Sequence, residues 1–280
     1  ELSSANSINW GRLLPQIVYY FAAYLDLIKK KEILPGEKIN FVVPTGNFGN
    51  ILAGWYAKKM GLPINKLICA SNENKVLTDF FSTGVYDRNR DFKQTNSPSM
   101  DILISSNLER FLFEVTNHDA QKINQWMHDL NTSGKFTVDE KTKQEIKDIL
   151  VGGFATEKET LETIKEIFNG VGYTLDTHTA VAVKVNEDYR QKTGDKTPTV
   201  IDATASPFKF NSSVLEAIKG EDAIKGKDEF TIVEELSKIS KLPVHMALKD
   251  LDKKPILHKT VCEKDQIKNA VEKILGILGA

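Results

Sequence analysis

Between a run of apolar residues and a stretch of helix formers the chain carries Phe41-Val42-Val43-Pro44-Thr45-Gly46-Asn47-Phe48-Gly49-Asn50-Ile51-Leu52-Ala53-Gly54. Two glycines and small polar residues in a strand-to-helix turn let several backbone N–H groups converge at a helix N-terminus, where the macrodipole also favours an anion. The predicted chemistry is a phosphate cradle. The turn lacks both the Gly-Lys-Ser/Thr ending of a nucleotide loop and the Gly-x-Gly-x-x-Gly of a dinucleotide site. A single phosphate on a small molecule therefore fits better than ATP or NAD. The competing reading of the same residues is a tight turn that merely needs glycine.

The elements around this turn must hold it in place. Leu13 to Lys30 has apolar residues at helical spacing and predicts a largely buried helix. Ile39 to Val43 reads as a short strand covered on both faces, ended by Pro44. A helix from Ile51 to Met60 stops at Gly61, a strand covers Lys66 to Ala70, and a helix from Asn74 to Ser82 stops at Gly84. Strand and helix alternating through short links predict a parallel sheet with right-handed crossovers. Asp87 to Ser99 has hinge composition, and Leu108 to Leu130 and Asp139 to Leu150 read as amphipathic helices. Gly152-Gly153-Phe154 could join an irregular sheet edge. Helices are expected over Glu157–Asn169, His178–Lys192, Ile232–Ile239 and Lys264–Leu278, with strands over Thr199–Thr204 and Ile256–Val261. The expected class is α/β, a three-layer open, mainly parallel sheet with helices on both faces plus a helical insertion. The expected domains are an α/β ligand-binding domain (1–90 and 155–225), the insertion (91–154) and a C-terminal helix-strand-helix segment packed on it (226–280).

Composition narrows the partners. In 280 residues, 41% are hydrophobic and 27% charged, which is ordinary globular usage and argues against disorder or a membrane-spanning chain. The 37 basic and 38 acidic side chains nearly cancel, so the electrostatic footprint of a nucleic-acid binder is absent. Cys69 and Cys262 have no second Cys or His at metal-ligand spacing; packing thiols in a reducing cytoplasm are expected, with no metal site. The sequence begins at Glu1, with no basic segment leading into an apolar core, so no signal peptide is visible and a truncated or processed start is expected.

Val43-Pro44-Thr45-Gly46-Asn47-Phe48-Gly49-Asn50 resembles the cofactor-phosphate loop of threonine synthases, fold-type II enzymes that depend on pyridoxal 5'-phosphate. Further segments resemble that family in the same order: Asn6 to Arg12, Ser99 to Ile102, His178 to Ala182, and Thr204-Ala205-Ser206-Pro207-Phe208-Lys209-Phe210. The resemblance implies a β,γ-replacement converting O-phosphohomoserine and water to threonine and phosphate. It also implies that Gly46, Asn47, Phe48 and Gly49 hold the cofactor phosphate, with Asn50 contributing, and that Thr204 at a strand end meets the pyridine nitrogen. For Thr204 the alternative is a hydroxyl bonded to its own backbone. Asp176 and Thr177 suit N-capping of the following helix, and His178 suits a structural role beside that cap. Asn6, Asn9 and Arg12 could border the substrate phosphate or be surface groups opening the first helix; Lys209 could attract an anion or be a solvated loop lysine. No lysine matches the family's Schiff-base motif. The chain is therefore expected to be the C-terminal portion of such an enzyme, to partner the missing N-terminal part, and to be inactive alone. The alternative is a stand-alone, non-catalytic module for a small phosphorylated ligand. Neither nucleic acid nor membrane is an expected partner.

Overall fold

The computed structural model describes residues 6–257 and 259–277, in a body ending at Lys241 and a C-terminal unit starting at Leu242. In the body, α1 (Trp10–Lys29) starts at Asn9, whose side chain accepts from the Gly11 amide. Only the stripe Leu13, Ile17, Tyr20 and Tyr24 is buried, because 3.6 residues per turn place those four on one side. Val18 and Leu25, on other faces, stay 61% and 60% exposed, so the helix is not largely buried as its composition suggested.

Next come β1 (Ile39–Pro44), buried at every position, α2 (Gly49–Lys59), β2 (Ile64–Ser71) and α3 (Val76–Thr83). Gly84 ends α3 at a φ of 80°, the left-handed cap that favours glycine. In the middle lie β3 (Val85–Asp87), α4 (Leu108–Val115), α5 (Ala120–Ser133), β4 (Lys135–Thr137) and α6 (Glu140–Ile149). The predicted helix over 108–130 is thus two helices, broken where Asn117 and His118 take positive φ and Asp119 caps α5. The segment is not purely helical either: β3 and β4 pair antiparallel, with Tyr86 opposite Phe136.

The chain continues through β5 (Leu150–Phe154), α7 (Glu157–Val171), α8 (Thr177–Thr193), β6 (Thr199–Ile201), α9 (Asn211–Lys219) and α10 (Glu229–Ser240). The main sheet has the order β5-β2-β1-β6 with every pair parallel. Phe41, Val43, Leu67 and Cys69 point into a core shared with α1, α2 and α3. Val42, Ile68 and Ala70 point to the other face, onto Val181, Ala182 and Val185 of α8. This period-two alternation is what puts helices on both faces and makes the three-layer α/β architecture. Burial pushes the Cys69 thiol up to about 12, which leaves it unreactive.

Strand order reverses at β1, since β2 lies to one side and β6 to the other. In open parallel sheets ligands bind outside the carboxyl ends of the strands at such a point. The predicted turn after β1 sits there.

The C-terminal unit carries α11 (Ile267–Ile274). Residues 256, 257 and 259–261 form no strand; Ile256, Leu257 and Val261 are 75%, 79% and 93% exposed, and a strand without a partner ladder is not stable. Cys262 is exposed rather than packed. The predicted end of the last helix at Leu278 lies outside the described residues. No helix among the described residues is long and apolar enough to cross a membrane.

Candidate functional site

Gly46, Asn47, Phe48, Gly49, Asn50 and Thr204 line one cavity of about 240 Å³. The sequence reading placed these residues together, and the fold does so. The turn is shaped by what happens to its carbonyls. Ser105 Oγ donates to the Gly46 carbonyl at 2.7 Å, while Asn107 donates to the Asn47 carbonyl through its amide at 3.1 Å and its Nδ2 at 2.8 Å. In a planar trans peptide the N–H points opposite to the C=O, so pinning these two carbonyls turns the amides of Asn47 and Phe48 the other way. None of the amides from Gly46 to Asn50 donates to any described protein acceptor. Five consecutive orphan donors at the start of an 11-residue helix make an anion cradle in the physical sense.

Two close approaches demand glycine here. A Cβ on Gly46 would lie 2.8 Å from the Ser99 carbonyl oxygen and 3.1 Å from Met100 Cα, both backbone atoms. A Cβ on Gly49 would lie 2.5 Å from Ser7 Cβ. Phe48 contributes through its backbone, because its ring is buried away in the core, 5.5 Å from Phe111 and 6.0 Å from Phe81 between ring centroids. Its φ of 65° is a left-handed conformation that costs a non-glycine residue about 1–3 kcal/mol. Burial of the ring offsets that cost.

The other walls come from far along the chain. Ser7, Gln16, Ser99, Met100, His178 and Lys209 complete the cavity. Gln16 Oε1 is buried with no hydrogen-bond partner, a polar group aimed at nothing the protein supplies. Thr204 lies three residues past the end of β6, not within a strand, and its hydroxyl does not bond its own backbone. Lys209 reaches the cavity while its Nζ sits 5.3 Å from the centroid of the Phe210 ring; no carboxylate pairs with it among the described residues.

Most of the other sequence candidates have structural roles. Asn9 caps α1, and Asn6 donates to Ser106 Oγ at 3.0 Å. Arg12 is exposed and does not line the cavity, which Ser7 and Gln16 reach instead. Asp176 caps α8 by accepting from the amides of His178 at 2.8 Å and Thr179 at 3.2 Å. The His178 ring leans on Phe210, and its Nε2 accepts from the Ser99 amide at 3.1 Å, so His178 fixes the strap that faces Gly46. Replacing Asp176 with Ala should cost about 1–2 kcal/mol of unfolding free energy in urea, with no change in fold by circular dichroism; an unchanged midpoint would show that the cap contributes nothing.

Asp202 was absent from the sequence reading. It follows β6, accepts from Asn50 Nδ2 at 3.1 Å, and lines an adjoining cavity of about 490 Å³ with Gln16, Asn50 and Thr204. Burial pushes its carboxyl up to about 6.

The mainly parallel α/β sheet with helices on both faces is the architecture of pyridoxal-phosphate enzymes of fold type II. A family profile described as threonine synthase, C-terminal, matches residues 179–262. Over 219 residues the chain is 48% identical to threonine synthase-like 1 of Macaca fascicularis, covering 78% of this chain and 29% of that one. The crystal structure of yeast threonine synthase superposes with a TM-score of 0.80 at 37% identity, over 97% of this chain and 53% of that one. A pyridoxal-phosphate-bound threonine synthase from Brucella melitensis gives 0.72 at 41% identity, over 86% and 53%. The chain belongs to the threonine synthase family, and it spans about half or less of the length of these relatives.

Proposed function

We propose that this chain holds the phosphate end of pyridoxal 5'-phosphate in a threonine synthase that converts O-phosphohomoserine and water to threonine and phosphate. The observation that carries the reading is the run of unpartnered amides from Gly46 to Asn50. When bound, the cofactor supplies an electron sink for charge that develops on the substrate's carbons. The chain's own residues do the rest of what is assigned to it. The amides of the turn and the positive end of α2 bind the phosphate ester. Thr204 presents an uncharged hydroxyl to the ring nitrogen, and so does not hold a proton on it as a carboxylate would. Lys209 adds positive charge at the cavity rim. With no lysine matching the Schiff-base motif, the 280-residue polypeptide is expected to bind the cofactor without releasing phosphate from substrate. The setting proposed is the cytoplasm.

The test is a titration of the chain with pyridoxal 5'-phosphate followed by absorbance, with sulfate as competitor. Saturable binding that sulfate displaces supports the reading; binding indifferent to sulfate overturns it. Lys209→Ala should weaken the affinity about 2- to 5-fold at low ionic strength and less at high salt, as expected of an exposed charge.

A further inference from the structure

Asp202 is a carboxylate placed one side chain away from an anion site. Its Oδ2 accepts from Asn50 Nδ2 at 3.1 Å, and Asn50 contributes one of the five unpartnered amides of the turn. The same asparagine is clamped from α1, where the Tyr20 hydroxyl lies 2.9 Å from the Asn50 carbonyl and 3.0 Å from its Oδ1. We infer that Asp202 is a positioning residue that makes anion binding in the Gly46–Asn50 turn proton-linked, the turn holding its anion more tightly when the carboxyl is neutral. The inference rests on the reading of that turn as an anion cradle.

The sign follows from charge alone. An ionised Asp202 and a bound dianion repel across the single intervening Asn50 side chain, so each makes the other less favourable. Linkage is reciprocal: binding raises the carboxyl's proton affinity, and raising the pH through its titration weakens binding. With the carboxyl pushed up to about 6 by burial, the change falls at mildly acidic to neutral pH instead of in the acid range usual for aspartate. Other titratable groups face this region. Tyr20 is buried and its hydroxyl is pushed well above 10, so it does not titrate in that window. Tyr19 borders the Asp202 cavity from α1, and His178 and Lys209 border the cradle from α8 and the segment after β6. The Asp202→Asn variant below separates the carboxyl's contribution from that of these neighbours.

Sulfate is the probe, because it stays a dianion throughout. In the wild-type chain at constant ionic strength, sulfate affinity should fall about tenfold between about pH 5.5 and pH 8. Asp202→Asn keeps an acceptor for Asn50 Nδ2 but removes the charge. It should bind with a nearly flat pH profile and about tenfold more tightly than wild type at the upper end. Sulfate binding that is flat in the wild type, or a slope that survives in Asp202→Asn, overturns the inference and leaves the cradle standing. No sulfate binding at any pH overturns both. Should the variant not fold, ¹³C NMR of the Asp202 carboxyl in the labelled wild-type chain decides. Its titration midpoint must move up on saturation with sulfate, and an unmoved midpoint overturns the inference.

Discussion

Gly46→Asp should abolish binding of both pyridoxal 5'-phosphate and sulfate, a loss of at least about 100-fold, since like charges set against each other cost several kcal/mol. Two effects act together. The new Cβ meets the Ser99 carbonyl oxygen at 2.8 Å and Met100 Cα at 3.1 Å, neither of which can rotate aside. That strap is held by the His178 ring on the Ser99 amide, so the turn itself must move. The carboxylate then sits among the amides that an incoming phosphate needs. Gly46→Ala separates the two effects: it keeps the clash, costing about 1–3 kcal/mol of stability, and adds no charge. Partial affinity in the alanine variant and none in the aspartate variant is the expected pair, read by absorbance titration with circular dichroism as the check on folding. Undiminished affinity in Gly46→Asp would remove the turn from the site.

How far the sequence revealed this site depends on how local each determinant is. The strand, turn and helix from Ile39 to Lys59 were legible because β1 is apolar at consecutive positions and the glycines punctuate the turn. By contrast, the carbonyl anchors Ser105 and Asn107 lie about sixty residues downstream, and no spacing rule ties them to Gly46 and Asn47. The break between α4 and α5 was hidden because apolar residues keep helical spacing across it, from Phe111 and Leu112 to Ile123. β3 and β4 are three residues each, too short for alternation to register, and they exist through the pairing of Tyr86 with Phe136, whose rings stack at 5.3 Å. Asp202 was missed for a related reason. A lone aspartate after a strand reads as a loop residue until the fold brings α1 and α2 around it.

Phe48 connects the cradle to the core, and this gives the second large effect. Phe111 is fully buried, with its ring 5.5 Å from Phe48 and 5.8 Å from Trp55 between centroids. Phe111→Ala should cost about 3–5 kcal/mol in urea unfolding, from lost burial and the cavity left behind. Its consequence should not stop at stability. The left-handed backbone of Phe48 persists only while its ring is held, and with Phe111 gone the turn can relax toward ordinary φ values and scatter its amides. Affinity for pyridoxal 5'-phosphate should therefore fall in Phe111→Ala even where the protein is fully folded. Leu236→Ala is the matched control: Leu236 is also fully buried, on α10, and its truncation costs about 2–5 kcal/mol without touching Phe48. If both variants, measured well below their unfolding transitions, bind the cofactor as the wild type does, the strain at Phe48 has no part in holding the cradle open.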